Sequence, residues 1–380
     1  MKNSLGLFNA VKGVLMILII LSHSLTDFIF SKMPHAFLSG DIRGLILFFF
    51  YLISYAAMPL FFAVCGYGFR RRRLDLLIRN SLAIPLKAYC LASLVIIGLG
   101  TLGAFLSGDN AVQALLTGCV SYLFGLQPGA TFRGIFFDGN GPLWFLWTFS
   151  GAVLLLNQIA KLDKRRIQTA VCAFLACAGL FLTRYPLPFC LQQIFICTGF
   201  MYIGWIMSRE KILEKKLPWY LAAAAVLSAV LLIFKSGLPV SVSGNEYPNG
   251  LPDLIAAWLL SFVLMFPAAR LGTCSGPLAD FLCWTGRNAF FLCCFHTVEF
   301  KALPLRYFIN FHVQNRYLRY TVLFLASSLW AFGTVYAFTR CRQGFRKKTA
   351  SGRKQTGSGG KHKRIMRRER ERTDLLTDIG

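Results

Sequence analysis

The stretch VKGVLMILIILSHSLTDF, residues 11–28, is an apolar run with a lysine near its start and a histidine near its far end. About twenty such residues in a helix cross a hydrocarbon core of roughly 30 Å. The run is too long, and too polar at its far end, for a secretory signal peptide, and reads as a retained first helix. Polar groups at membrane depth are costly, and they face a protein interior or a wet cavity. An imidazole at position 23 therefore asks what it faces.

The rest of the chain has the same character. Of 380 residues, 56% are hydrophobic and 15% charged, with 36 Phe and 7 Trp, and the mean hydropathy is +0.55. That composition excludes a soluble domain. The pattern predicts an all-α, polytopic membrane helical bundle of about ten transmembrane helices, over 9–30, 44–69, 81–106, 142–160, 167–183, 189–207, 218–235, 253–270, 278–299 and 318–340. Residues 1–340 form one transmembrane domain, and 341–380, rich in Gly, Ser and charge, read as a basic disordered tail held near anionic lipid.

The formal net charge is +25, but it sits between apolar runs and in the tail, which argues against a nucleic-acid partner. Basic loops at 70–79, 161–166 and 208–216 share one face with Lys2 and the tail, so both termini are expected in the cytoplasm. The opposite face receives the Gly-, Asn- and Pro-bearing loops 107–141 and 236–252. Segment 300–317 fits badly, because Lys301, Arg306 and Arg316 fall on the outer face. Either it lies on the surface or the last two crossings are misplaced. The 12 cysteines have no ligand-type pairing of two CxxC units and read as small buried hydrophobes. None of the five histidines has the neighbours of a metal site such as HExxH.

Lys12 and His23 are eleven residues apart, which leaves them on one helical stripe, roughly 16 Å apart along the axis. Asp27 follows one turn later, where its carboxylate can fix one imidazole nitrogen and leave the other as a base. The bland alternative is a satisfied polar pair with a snorkelling lysine. AAMPLFFAVCGYGFRRRR, residues 56–73, brings small residues at Gly66 and Gly68 and then four arginines, either a topology anchor or a phosphate site. DGNGPLWFLWTF, residues 138–149, sets a turn against an aromatic helix start. TGRNAFFLCCFHTVEF, residues 285–300, places Arg287 and Asn288 at a helix start and His296 and Glu299 on one face near its end.

In that order and on that helix layout, these stretches resemble membrane-bound acyltransferase family 3, which includes sugar O-acetylases, from about residue 8 to residue 340. Lys12 and His23 match the family's basic residue, ten-residue gap and essential histidine. MPLFFAVCGYGF, NGPLWFL and TGRNAFFL match its later elements, and His296 its late histidine. The chain departs in having Lys12 where many members carry arginine, Asn9 where a related branch has aspartate, and Leu82 where the second of two arginines would fall.

The resemblance implies an integral membrane O-acyltransferase that moves an acyl group, most often acetyl, from cytoplasmic acyl-CoA to a carbohydrate hydroxyl of the cell envelope, in a bacterial plasma membrane. No permanently bound cofactor is expected. His23 is the expected base, with Asp27 orienting it and Lys12 offering charge to the donor or to the oxyanion. Arg70 to Arg73, Arg79 and Lys87 are candidates for the donor phosphates. Trp144, Asn288, His296 and Glu299 are candidates for the acceptor. Membrane lipid and glycan-assembly proteins complete the expected partners. A transporter or flippase for a lipid-linked or anionic solute is the rival reading.

Overall fold

The computed structural model describes residues 6–25, 34–185, 187–303 and 305–355. Asp27 and most of the basic tail lie outside them. Among the described residues, eight helices are long and apolar enough to cross a membrane. They coincide with eight of the ten expected segments. The other two are α1 (Asn9–Ser24) and the pair α10 (Pro277–Arg287) and α11 (Ala289–Ala302), broken at Asn288.

The long helices are α2 (Ile42–Tyr67), α3 (Ala83–Ser107), α5 (Trp144–Ile159), α6 (Arg165–Phe181), α7 (Leu191–Arg209), α8 (Trp219–Ser236), α9 (Leu251–Leu271) and α13 (Arg316–Gln355). Short α4 (Ala111–Leu123) lies between α3 and α5, and α12 (Leu305–His312) between α11 and α13. Asp41 caps α2: Ser39 Oγ donates to its carboxylate and so does the Gly44 N–H at 2.9 Å. These two bonds hold the Asp41 carboxyl below its ordinary range. Pro85 has no N–H to return to the preceding turn. The chain widens there into a π-helical segment, Ile78–Leu82, in which the Ala83 N–H donates to the Ile78 carbonyl.

The bundle is centred on α5 and α7, whose apolar windows are each 72% buried, against 17–22% for α3, α6, α8 and α13. Peripheral helices turn Leu94, Leu106, Phe174 and Leu329 outward, as lipid-facing surface requires. Two crossings bring backbones into direct contact through glycine. A Cβ on Gly66 of α2 would stand 1.9 Å from the Met201 carbonyl oxygen of α7, and one on Gly204 of α7 would stand 1.7 Å from that of Ala63. Gly13 of α1 and Gly286 of α10 are paired in the same way, at 2.1 Å from Leu282 O and 1.9 Å from Asn9 O.

Segment 107–141, expected as a loop, is largely ordered secondary structure. Asn110 caps α4, its Oδ1 accepting from the Gln113 N–H at 3.0 Å, and α4 packs on α3. A hairpin of β1 (Ala130–Phe132) and β2 (Ile135–Phe137) follows, turning through Arg133 and Gly134, both at positive φ. Segment 300–317, which fitted the topology badly, carries α12. Its Ile309 is buried while Tyr307, Phe308 and Phe311 are exposed, the make-up of a helix lying in an interface.

The loops sort to two ends. Arg73 and Lys161 border one cleft, and Arg165 pairs with Glu210 at 3.3 Å. At the other end the His35 N–H donates to the Gly237 carbonyl at 3.0 Å, Gln193 Nε2 reaches the carbonyls of Gln127 and Ser243, and Lys301 pairs with Asp138. We call these the inner and outer ends.

Candidate active site

The last two turns of α1 carry Ser22 and His23 to the wall of a cavity of about 130 Å³ in the outer half of the bundle. His296 of α11 forms the adjoining wall, its ring centroid 5.5 Å from that of His23. Trp144 and Phe145, at the start of α5, close another side, and the loop 239–243 forms a roof. That roof is fixed. Gln193 holds the Ser243 carbonyl, Ser241 and Glu246 exchange backbone hydrogen bonds, and the buried carboxylate of Asp253 ties Tyr55 of α2 to the backbone and side chain of Asn249.

His296 is 1% exposed and its Nδ1 lies 3.3 Å from Glu299 Oε2, itself on a residue 3% exposed. Neither ring nitrogen of His296 has a hydrogen-bond partner among the described residues. A buried polar group in that condition is costly unless a ligand or water completes it. The i,i+3 spacing on α11 thus brings the two side chains together; His296 borders the same cavity as His23, and Glu299 lies behind it and does not line that cavity.

A third group was not singled out from the sequence. Arg306 of α12 donates to the main-chain carbonyl of His23 and lays its guanidinium 5.0 Å from the Phe300 ring centre. Phe300 in turn packs on the His23 ring at 5.3 Å. The cation caps the C-terminal end of α1, where carbonyls carry the negative end of the helix dipole. Its only sequence signal was the charge misplaced in segment 300–317.

Lys12 is 6% exposed and lies inward of the cavity on α1, beside Asn9, 4% exposed. Asn288 does not border the cavity; its side chain donates to the Trp284 carbonyl at 2.8 Å and shapes the break between α10 and α11.

At the inner end Arg71, Arg72, Arg73, Leu74, Asp75 and Lys161 line a cleft of about 470 Å³. The strip is held in place by Asn157 of α5, which is fully buried. Its Oδ1 accepts from the Arg72 N–H at 3.0 Å and its Nδ2 donates to the Arg72 carbonyl at 3.1 Å. Arg73 also pairs with Asp75 at 3.3 Å. Of the expected donor-binding cations, Arg71, Arg72 and Arg73 border this cleft, whereas Arg70, Arg79 and Lys87 do not. Lys161, which was not among them, borders it as well.

The chain thus has a cationic cleft at one end and a histidine-lined cavity toward the other. No curated protein and no solved structure matches it. The family described as an acyltransferase domain, Acyl_transf_3, matches residues 6–340. With nearly nine-tenths of its length under that match and a polytopic all-α bundle to carry it, the chain belongs to this family of membrane acyltransferases.

Proposed function

We propose that the protein transfers an acyl group from a CoA thioester to a hydroxyl of a carbohydrate, with His23 as the general base. The observation that carries this reading is the placement of His23 and His296 against one cavity, in a chain of the acyltransferase family. The anionic end of the donor rests at Arg71, Arg72, Arg73 and Lys161, where guanidinium forks suit phosphate oxygens. The pantetheine arm runs from the inner end outward past Lys12 and brings the thioester carbon to His23.

A neutral imidazole nitrogen of His23 takes the proton of the acceptor hydroxyl as its oxygen attacks that carbon. The carbon–sulfur bond breaks, an ester bond forms, and the CoA sulfur leaves with the proton. Arg306 and Phe300 hold the imidazole in place. His296, with Glu299 behind it, hydrogen-bonds the acceptor or the developing oxyanion, and Trp144 offers a face to the sugar ring. The acceptor is a glycan of the bacterial envelope, delivered by glycan-assembly proteins in the plasma membrane.

The test is to incubate membranes carrying the protein with CoA thioesters labelled in the acyl carbon and to follow label into carbohydrate. Label enters with the wild-type chain and is lost with His23→Ala, at equal membrane content. Transfer at the wild-type rate in that variant removes the mechanism.

A further inference from the structure

The inner part of the cavity beside His23 has a lining that a sugar does not satisfy. Its deeper wall is made by Met16, Ile53, Ala57, Met58, Phe61 and Phe145. The hydroxyls nearest that wall give their protons to their own helices and offer none to a ligand: Ser22 Oγ donates to the Ile19 carbonyl at 2.8 Å and Ser54 Oγ to that of Tyr51 at 2.6 Å. A pyranose pushed into this space would find no donor for its oxygens and an apolar wall on most sides, so hydroxyls left without partners would each be a substantial loss. Hydrocarbon loses nothing there.

Shape and size agree with hydrocarbon. Met16 lies seven residues inward of His23 on α1, so the space runs about 10 Å away from the imidazole along the helix. Its volume is about 130 Å³. An apolar cavity of roughly 150 Å³ holds one six-carbon benzene. By that scale this one takes about five carbons. Acetyl, with a single methyl beyond its carbonyl, would leave most of it empty.

From this we infer that the cavity is an acyl pocket and that the donor is a short-chain acyl-CoA whose acyl group has about four to five carbons. The inference rests on the proposed transfer reaction and adds the donor's chain length. The carbonyl carbon sits at His23, the chain points toward Met16 and Ala57, and the acceptor approaches from the Trp144 and His296 side. The reaction balances as before: the thioester carbon–sulfur bond is exchanged for a carbon–oxygen bond, and the hydroxyl proton leaves with the CoA thiol.

The experiment compares acyl-CoA donors from two to eight carbons, each labelled at the carbonyl, with membranes bearing the wild-type chain, Ala57→Leu or Met58→Ala. For the wild type, kcat/KM rises about fourfold per added methylene up to four or five carbons, then falls. Ala57→Leu adds three carbons to the wall and lowers the five-carbon to two-carbon ratio at least tenfold; Met58→Ala moves the optimum to a longer chain. A wild-type profile that peaks at acetyl overturns the inference and leaves acyl transfer standing. So does an Ala57→Leu variant that weakens every donor equally, since that result assigns the space to the pantetheine arm. No label transferred from any donor overturns the transfer reaction itself, and the acyl pocket with it.

Discussion

Replacing Gly13 with alanine places one methyl group where two helix backbones touch. The added carbon would stand 2.1 Å from the Leu282 carbonyl oxygen, 2.9 Å from its carbon and 3.1 Å from its Cα. Ordinary contact begins near 3.4 Å, and the obstacle is backbone that no rotamer change can clear. Helices α1 and α10 must therefore separate by more than 1 Å. That helix carries His23 ten residues further on, and a stiff helix passes the displacement along. Misplacing a reacting group by about 1 Å costs on the order of 100-fold in rate, or about 2.7 kcal/mol of barrier. Gly98→Ala is the matched control, because nothing lies within 4 Å of its added carbon. Both variants are assayed for labelled acyl transfer per amount of inserted protein. Gly13→Ala is expected to lose roughly 100-fold, and Gly98→Ala less than twofold. Wild-type transfer in Gly13→Ala would show that the α1–α10 seam does not set the position of the imidazole.

Three further outcomes follow from the geometry. Lys12→Ala should raise the KM for acyl-CoA while Lys12→Arg keeps it low; if both variants match the wild type, Lys12 is an anchor and has no part in donor use. Asn157→Leu removes the two hydrogen bonds that fix Arg72, each a matter of about 1 kcal/mol. The acyl-CoA KM should rise about tenfold with kcat held, and an unchanged KM would detach the arginine strip from the donor. Arg306→Gln takes away the cation at the end of α1, and kcat should fall about tenfold with donor KM unchanged. Arg306→Lys should restore part of that loss, and a loss confined to KM would make Arg306 a binding group instead.

The crossings were readable because lipid demands apolar length, and that demand is written locally in each run. The cap at Asn110 was also there to read, but α4 is short and partly polar, so it merged with the surrounding loop. The hairpin after it hid for another reason. Its turn puts Arg133 at φ 49°, a conformation that arginine rarely signals. The site is less legible still. His23 and His296 lie 273 positions apart, and one sequence holds nothing that joins them. The cations of segment 300–317 looked misplaced because charge was counted by loop. In the fold Lys301 meets Asp138 at 2.6 Å and Arg306 meets the carbonyl end of α1, so local partners answer two of those charges. The six residues of the acyl pocket's deeper wall come from three separate helices, each reading simply as apolar.

The glycine seams limit how the molecule can move. A carbonyl seated on a bare Cα has nowhere to go when its helix slips by a turn, since every neighbouring position bears a side chain. The α2–α7 and α1–α10 pairs therefore behave as welded ribs, and the walls beside His23 are built on two of those four helices. Substrates must come to a stationary hearth: a slender thread can pass between fixed ribs, whereas a bulky solute would need the whole frame to rock.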